Sequence, residues 1–440
     1  VSSIINNVVI HFIVFQLMDK APIFLGLVSL IGLLLQKKKS TEVVDGVVKT
    51  MIGMVLLSSG AGILTSSIGP LINTLSSTLG IKGVMPANEA AFGVAMGTKL
   101  ADAITITFIL GFLIHVLLVR IIPFKNNKNV YLTAHMMFFL ATFLNLALPN
   151  VIKISGNSVI IFASILAALY WTFSPSLPRI VGRPFLNDVI TVGHCNQSGA
   201  FMAHFIGKWF GDKTQDAEDL KLPGFLSIFR DNTIVTTVIM LLIFLGIGIA
   251  IGPKNMATLS GPKTNWVVWT IIQSLTFAAG MIILLSGVRM LISAIVPAFK
   301  GISDKVIPNA IPAVDCAVFF PYSPIASIIG FLGSVIAAIL VLGLLIAIKS
   351  SIIIFPSPII MVFDGGLVGV FGNKAGGWKG ALLAGFVNSF IAHLGLVVLY
   401  PLMGPVYGSG LMFSNIDWTI IWLPVLYIIK FVGSIFGFAL

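Results

Sequence analysis

The sequence is poor in charge. Asp, Glu, Lys and Arg together make up 9% of its 440 residues, where a soluble domain carries about a quarter. That excludes a long soluble domain, and the longest polar stretch is 212–232. Cysteine is scarce too: Cys195 and Cys316 are the two present, too few for a disulfide framework. Neither has a companion at metal-ligand spacing, so no metal and no cofactor is expected. No P-loop, dinucleotide fingerprint or Ser-His-Asp arrangement occurs, and the chain is expected to carry a solute rather than to make or break bonds. Acids are fewer than bases, 15 against 26, for a net charge of +11. The bases lie in short loops beside apolar runs, the positive-inside pattern, so nucleic acid is not an expected partner. Residues 1–19 lack a basic start and a small-residue cleavage site. With Ile5, Val8, Phe12 and Phe15 on one face, they predict an interfacial amphipathic helix.

What fills the chain is apolar residue: 57% of the total, with a mean hydropathy of +1.06. This predicts an all-α polytopic membrane protein with about eleven transmembrane helices, each near the roughly 20 residues a bilayer requires. The first, Ala21–Gln36, is closed by Lys37-Lys38-Lys39, which puts that end in the cytoplasm. The second, Val43–Leu64, is followed by Ser66–Leu100, polar and rich in Gly and Pro. That stretch and Phe185–Gly211 predict broken or re-entrant backbone, tolerated at membrane depth only inside protein.

The chain also repeats itself. Gly53–Pro70, shifted by 227 positions, lies on Gly280–Pro297 without a gap, and nine of the eighteen positions are identical. The matches include Ser59-Gly60 on Ser286-Gly287 and the closing prolines. At the same shift Ser76 meets Ser303 and Asn88 meets Asp315. Five spans per copy is odd, so the copies must run in opposite directions: an inverted repeat. The expected division is 1–211, first repeat; 212–232, cytoplasmic connector; 233–404, second repeat; and 405–440, last transmembrane helix.

Carriers of this kind bind substrate near the midplane, on interrupted helices from both halves. Three clusters fit: Pro86–Glu89 with Asn88 and Glu89, Pro312–Cys316 with Asp315, and Gly193–Gln197 with His194, Cys195 and Asn196. Asp315 stands in an apolar run, IPAVDCAVFF, where an unpaired charge costs about 3 kcal/mol. The plainer alternative is a helix cap or an ion pair with Lys99 or Arg289. His194 can donate to or accept from a polyhydroxylated ligand, or serve as hydrogen-bonded structure. His135, with Phe138 and Phe139 one turn on, suits a ligand wall or ordinary core. Ser59 and Gly60 can bring backbone close to a ligand, or let helices pack.

Several motifs carry a family resemblance. LTAHMMF (Leu132–Phe138), VGH (Val192–His194), EDLKLPGFLSIFRDN (Glu218–Asn232), GISDKVIPNAIPAVDCA (Gly301–Ala317) and GNKAGGWKGA (Gly372–Ala381) resemble, in this order, the ascorbate-type enzyme IIC of the bacterial phosphotransferase system. The galactitol type is the nearest alternative. The resemblance implies a homodimeric elevator in the bacterial cytoplasmic (inner) membrane, surrounded by lipid, with a core domain sliding against a V-shaped scaffold. It implies inward passage of L-ascorbate or a related sugar acid and phosphorylation by a partner enzyme IIB, charged through IIA. His135, His194, Asp315 and the Asn88-Glu89 loop would line the site. The sequence departs from that pattern where Phe139 and Cys195 replace expected glutamines and Glu89 an expected tyrosine. A different class remains open: an ion-coupled secondary transporter using Asp315 and Glu89 as ion sites.

Overall fold

Small polar side chains need not break an apolar helix. The computed structural model describes residues 21–122, 128–220, 232–307, 310–403 and 410–438. After a short helix α1 (Ala21–Leu35), the chain forms one continuous helix α2 (Ser40–Leu79), where the sequence predicts broken backbone from Ser66. The hydroxyls of Ser66, Ser67 and Ser77 donate to the carbonyls of Ile63, Leu64 and Thr74, three residues back. Each polar group is thus satisfied inside its own helix, and Pro70 is accommodated as well. The break comes only at Gly80, whose φ of +68 closes the helix. At about 1.5 Å per residue, α2 is roughly twice as long as the hydrocarbon layer is thick.

The chain continues through β1 (Lys82–Pro86), α3 (Asn88–Met96), α4 (Ala101–Ile121), β2 (Asn129–Tyr131), α5 (Ala134–Val151), α6 (Asn157–Phe173), α7 (Ser176–Leu186), β3 (Thr191–Val192) and α8 (Gln197–Phe210). A 3-10 turn at Ala217–Asp219 precedes α9 (Asn232–Ile251), α10 (Pro253–Ser260), α11 (Trp266–Val306) and β4 (Ile311–Val314). Then come a 3-10 turn Cys316–Tyr322, α12 (Pro324–Ala347), β5 (Ile352–Ile354), α13 (Pro358–Met403), β6 (Leu411–Met412), a π-helical turn Trp418–Trp422 and α14 (Leu423–Ile435). The expected helix over 1–19 and residues 221–231 of the connector lie outside the described residues.

Among the described residues, nine helices are long and apolar enough to cross a membrane, and the protein is a helical, multi-pass membrane protein. The sequence predicts about eleven spans. Two of those, Ile352–Val370 and Ala381–Leu402, fall largely on the 46-residue α13, and Ala21–Gln36 falls on the 15-residue α1. Helix α13 bends at Gly376 and Gly377. Gly377 has φ +63, and a Cβ there would strike the carbonyls of Asp212 and Gln215, so only glycine lets the loop after α8 close over the bend.

The elements recur in the repeat's own register. Shifted by 227, α2 lies on α11, α3 on the Cys316–Tyr322 turn, and α4 on α12. The extended segments are exchanged between the halves. Strand β1 lies between β5 and β6, and β4 lies between β2 and β3, every pairing parallel. Each central strand thus comes from one half and its neighbours from the other. The segments expected to be re-entrant are therefore short strands leading into helices, buried where their backbone groups can pair.

Helices α2 and α11 cross at their glycines: a Cβ on Gly60 would sit 2.6 Å from the backbone nitrogen of Leu284, and one on Gly287 would strike that of Leu57. With α1 and α9 they form one packed group, and α12, α13 and α8 form another.

Candidate functional site

The strand-to-helix junctions meet at one cavity of about 770 Å³, and those after β2, β3 and β4 bring His135, His194 and Asp315 together. Strand β2 ends at Tyr131, and the chain turns through Leu132 and Thr133 into α5, whose second residue is His135. Strand β3 leads to Gly193 and His194, just before α8. Gly193 lies so close to β4 that a Cβ on it would be 2.5 Å from the carbonyl oxygen of Ala313, so glycine is what brings His194 against the end of β4. There Asp315 caps the following 3-10 turn, its Oδ1 accepting from the Cys316 N–H at 2.7 Å.

His135 Nε2 lies 3.5 Å from one oxygen of Asp315, and His194 Nε2 lies 3.9 Å from the other. The Asp315 side chain is 33% exposed, and its exposed part faces the cavity. Its facing partners are thus the two histidines. Lys99 is exposed, and Arg289 Nη2 donates to Ser286 Oγ at 3.3 Å.

Behind His194 stands a second carboxylate that the sequence reading passes over. Asp364 Oδ1 is 3.6 Å from His194 Nδ1. Both Asp364 oxygens accept from Asn415 Nδ2, at 2.8 and 2.9 Å. Asn415 Oδ1 accepts from Asn88 Nδ2 at 2.6 Å, and Asn88 Oδ1 accepts from the Ser414 N–H at 2.7 Å. A continuous polar chain runs from Asn88 to Asp315 across both halves.

Of the residues singled out in the sequence, Asn88, Glu89, His135, His194 and Asp315 line the cavity, joined by Thr133, Arg289, Ser293, Phe363 and Asn415. Phe139, Cys195 and Asn196 stand one layer behind. Phe139 is fully buried, with its ring 5.7 Å from that of His135 and packed on Phe92 and Phe413. Asn196 Nδ2 donates to the Asp364 carbonyl at 3.1 Å, and the Cys195 carbonyl accepts from the Asp417 N–H at 3.3 Å. Ser59 and Gly60 are not brought to the cavity: Gly60 lies in the α2–α11 crossing and Ser59 is exposed beside it.

Asp417 is another acid the sequence reading passes over. It accepts from the backbone N–H groups of Gln197 and Ser198 and from the hydroxyls of Ser198 and Tyr170. That makes it a cap on α8, placed where the helix dipole favours an anion. Asn415 and Asp417 follow β6, a two-residue strand that its pairing with β1 reveals and the local sequence does not.

For metal chemistry, His194, the Asp315 carboxylate and Cys316 have ligand atoms within 4.8 Å of one another, with Cys316 Sγ 3.2 Å from Asp315 Oδ1. Such an N, O and S set can hold a metal ion, and Cys195 does not contribute to it.

A protein of Mycoplasma pneumoniae (strain ATCC 29342 / M129 / Subtype 1), named ascorbate-specific PTS system EIIC component, is 29% identical over 421 residues. The alignment covers 84% of this chain and 63% of the relative, so the chain spans less than two thirds of that protein's length. Residues 16–417 match the family described as PTS system sugar-specific permease component, EIIC-GAT. With nearly the whole chain matched, from before α1 to the Phe413–Asp417 loop, this protein belongs to the sugar-specific permease components of the phosphotransferase system.

Proposed function

We propose that this chain is the membrane permease of an ascorbate-type phosphotransferase system, carrying L-ascorbate or a related sugar acid inward for phosphorylation by a partner enzyme IIB. The observation that carries this reading is the convergence of His135 and His194 on Asp315, at gaps of 3.5 and 3.9 Å that a ligand's hydroxyl groups can bridge. The carboxylate accepts from substrate hydroxyls, the imidazoles donate or accept, and Arg289 on the opposite wall offers a cation to an acidic ring. The name of the Mycoplasma relative supports the substrate.

The elevator reading is supported by where the cavity lies. Its wall from Leu285 to Ser293 belongs to the α2–α11 group, with Glu89 on the neighbouring α3, and His135, His194 and Asp315 belong to the rest. Sliding one group along the other would carry the polar cluster across the membrane while the crossing of α2 with α11 stays fixed. The recurrence of α2, α3 and α4 in α11, the Cys316–Tyr322 turn and α12 supports an inverted repeat. The membrane is then the bacterial inner membrane, with the C-terminus cytoplasmic, the working unit a homodimer, and the phosphorylated cysteine on enzyme IIB rather than here.

Titration calorimetry with L-ascorbate and with galactitol, on the wild type beside Asp315→Asn, tests the reading. Ascorbate binding weakened more than about tenfold in the variant is expected, since a hydrogen bond to a charged group is worth about 1.5–3 kcal/mol. Galactitol binding alone would move the chain to the galactitol type. Uptake of unmodified solute that stops with an ionophore and needs no phosphoenolpyruvate would replace the reading by ion-coupled transport through Glu89 and Asp315.

A further inference from the structure

A second cavity, of about 380 Å³, lies away from the sugar-binding candidate and has a different character. Every residue lining it is apolar. One wall is α9 from Ile239 to Ala250, the other is α12 from Val335 to Ile346, and Phe355 and Met361 close its floor. Each wall is about 17 Å long at the helical rise, close to the roughly 15 Å depth of one leaflet's hydrocarbon. The groove therefore matches one acyl chain in length and in chemistry.

One end of the groove is basic. Leu79, Ile81, Ile346 and Ile353 line that end. Lys82 follows Ile81 and pairs with Ile352 across β1 and β5, and Lys349 follows Ile346 by three residues. Both lysines are exposed, and Lys82 Nζ lies 5.9 Å over the ring of Tyr400. No acid occurs in the segments that build the groove, 75–88, 234–253 and 335–363. Two cations at the mouth of a leaflet-deep apolar slot complement a phosphate headgroup on an acyl chain.

We infer that this groove is a binding site for one anionic phospholipid, with an acyl chain between α9 and α12 and its phosphate at Lys82 and Lys349. Helix α9 belongs to the α2–α11 group and α12 to the group packed on α13. The lipid would fill the seam between the two.

Gly246 gives a clean test. It lines the groove, and a Cβ there meets nothing within 4 Å, so the side chain of Gly246→Trp starts in open space and projects into the slot. The delipidated protein is titrated with phosphatidylglycerol and with phosphatidylcholine, and bound lipid is counted by native mass spectrometry. The wild type is expected to hold one phosphatidylglycerol per chain in preference to phosphatidylcholine. Gly246→Trp should weaken that binding about tenfold, given the apolar area withdrawn. Lys82→Gln with Lys349→Gln, which leaves the apolar lining intact, should bring phosphatidylglycerol down to the phosphatidylcholine level. Binding by Gly246→Trp equal to wild type overturns the proposal, as does a double-lysine variant that keeps its preference. A Gly246→Trp variant that changes oligomeric state with lipid binding untouched would assign the groove to a second copy of the chain instead.

Discussion

Two repeat-equivalent corners of this molecule share a strand-to-helix junction, with an α-helix after one strand and a 3-10 turn after the other, and differ in chemistry. In one, Asn88 follows β1 and binds the loop after β6, with bonds of 2.6 and 2.7 Å to Asn415 and Ser414. In the other, Asp315 follows β4 and faces the loop after β3, with His194 3.9 Å away and His135 3.5 Å away. The first corner is closed by short, direct bonds. The second keeps donors and acceptors at distances too long for a full bond and opens onto the cavity. The repeat supplied two equivalent junctions, and side-chain choice made one a strut and left the other open to the cavity.

Breaking the strut should show most. Asn88→Ala leaves the Ser414 N–H without its acceptor and the Asn415 amide oxygen with the Trp418 indole N–H as its remaining donor, and the expected loss is about 3 kcal/mol of stability. Thermal unfolding in detergent would read it. An unchanged midpoint would mean that this corner is no more fixed than its counterpart.

The α2–α11 crossing is the opposite case, a place where the repeat kept both geometry and chemistry. Gly60 packs on Leu284 and Gly287 on Leu57, and Leu57 and Leu284 are themselves repeat partners. Gly60→Ala and Gly287→Ala should therefore cost nearly the same, about 2 kcal/mol each. Unequal shifts in unfolding midpoint would show that the two halves of the crossing are loaded differently.

The smallest effect concerns a contact with no repeat equivalent. The Asp188 carboxylate accepts from Arg179 Nε at 2.9 Å and from Arg183 Nε at 3.0 Å, while Arg179 Nη1 also donates to Asn129 Oδ1 at the start of β2. The hydrogen bond from Arg179 holds this carboxyl below its ordinary value. Such a group stabilises the fold while ionised. The advantage of wild type over Asp188→Asn should be full above about pH 4 and fade as the pH falls through the lowered value. Because the pair is partly exposed, about half a kcal/mol is expected. A midpoint difference that persists at low pH would mean the contact acts through packing.

What was legible in the sequence follows from what stands out locally. Asp315 was visible as an acid in an apolar run, and His194 as the head of a polar cluster between glycines. Asp364 is also an acid among apolar residues, but it sits inside a stretch, Ile352–Val370, that reads as an ordinary span. Asn415 and Asp417 were hidden because the repeat loses its constant offset before reaching them. The strands were not legible, because segments of two to five residues are held by partners hundreds of positions away. The polarity of Ser66–Leu79 misled because hydroxyl groups can bond to their own helix, which composition does not reveal.

The exchange of strands has a consequence for biosynthesis. Lys82 pairs with Ile352, and Met85 with Leu411, so β1 leaves the ribosome long before either neighbour exists. Insertion of the early helices cannot wait for that pairing, so the fold must form in two stages: helices placed first, junctions completed last. Until the final third of the chain has been made, these polar junctions have only water or one another. An assembly checkpoint is thereby built into the topology, since neither half can finish its sheet without the other.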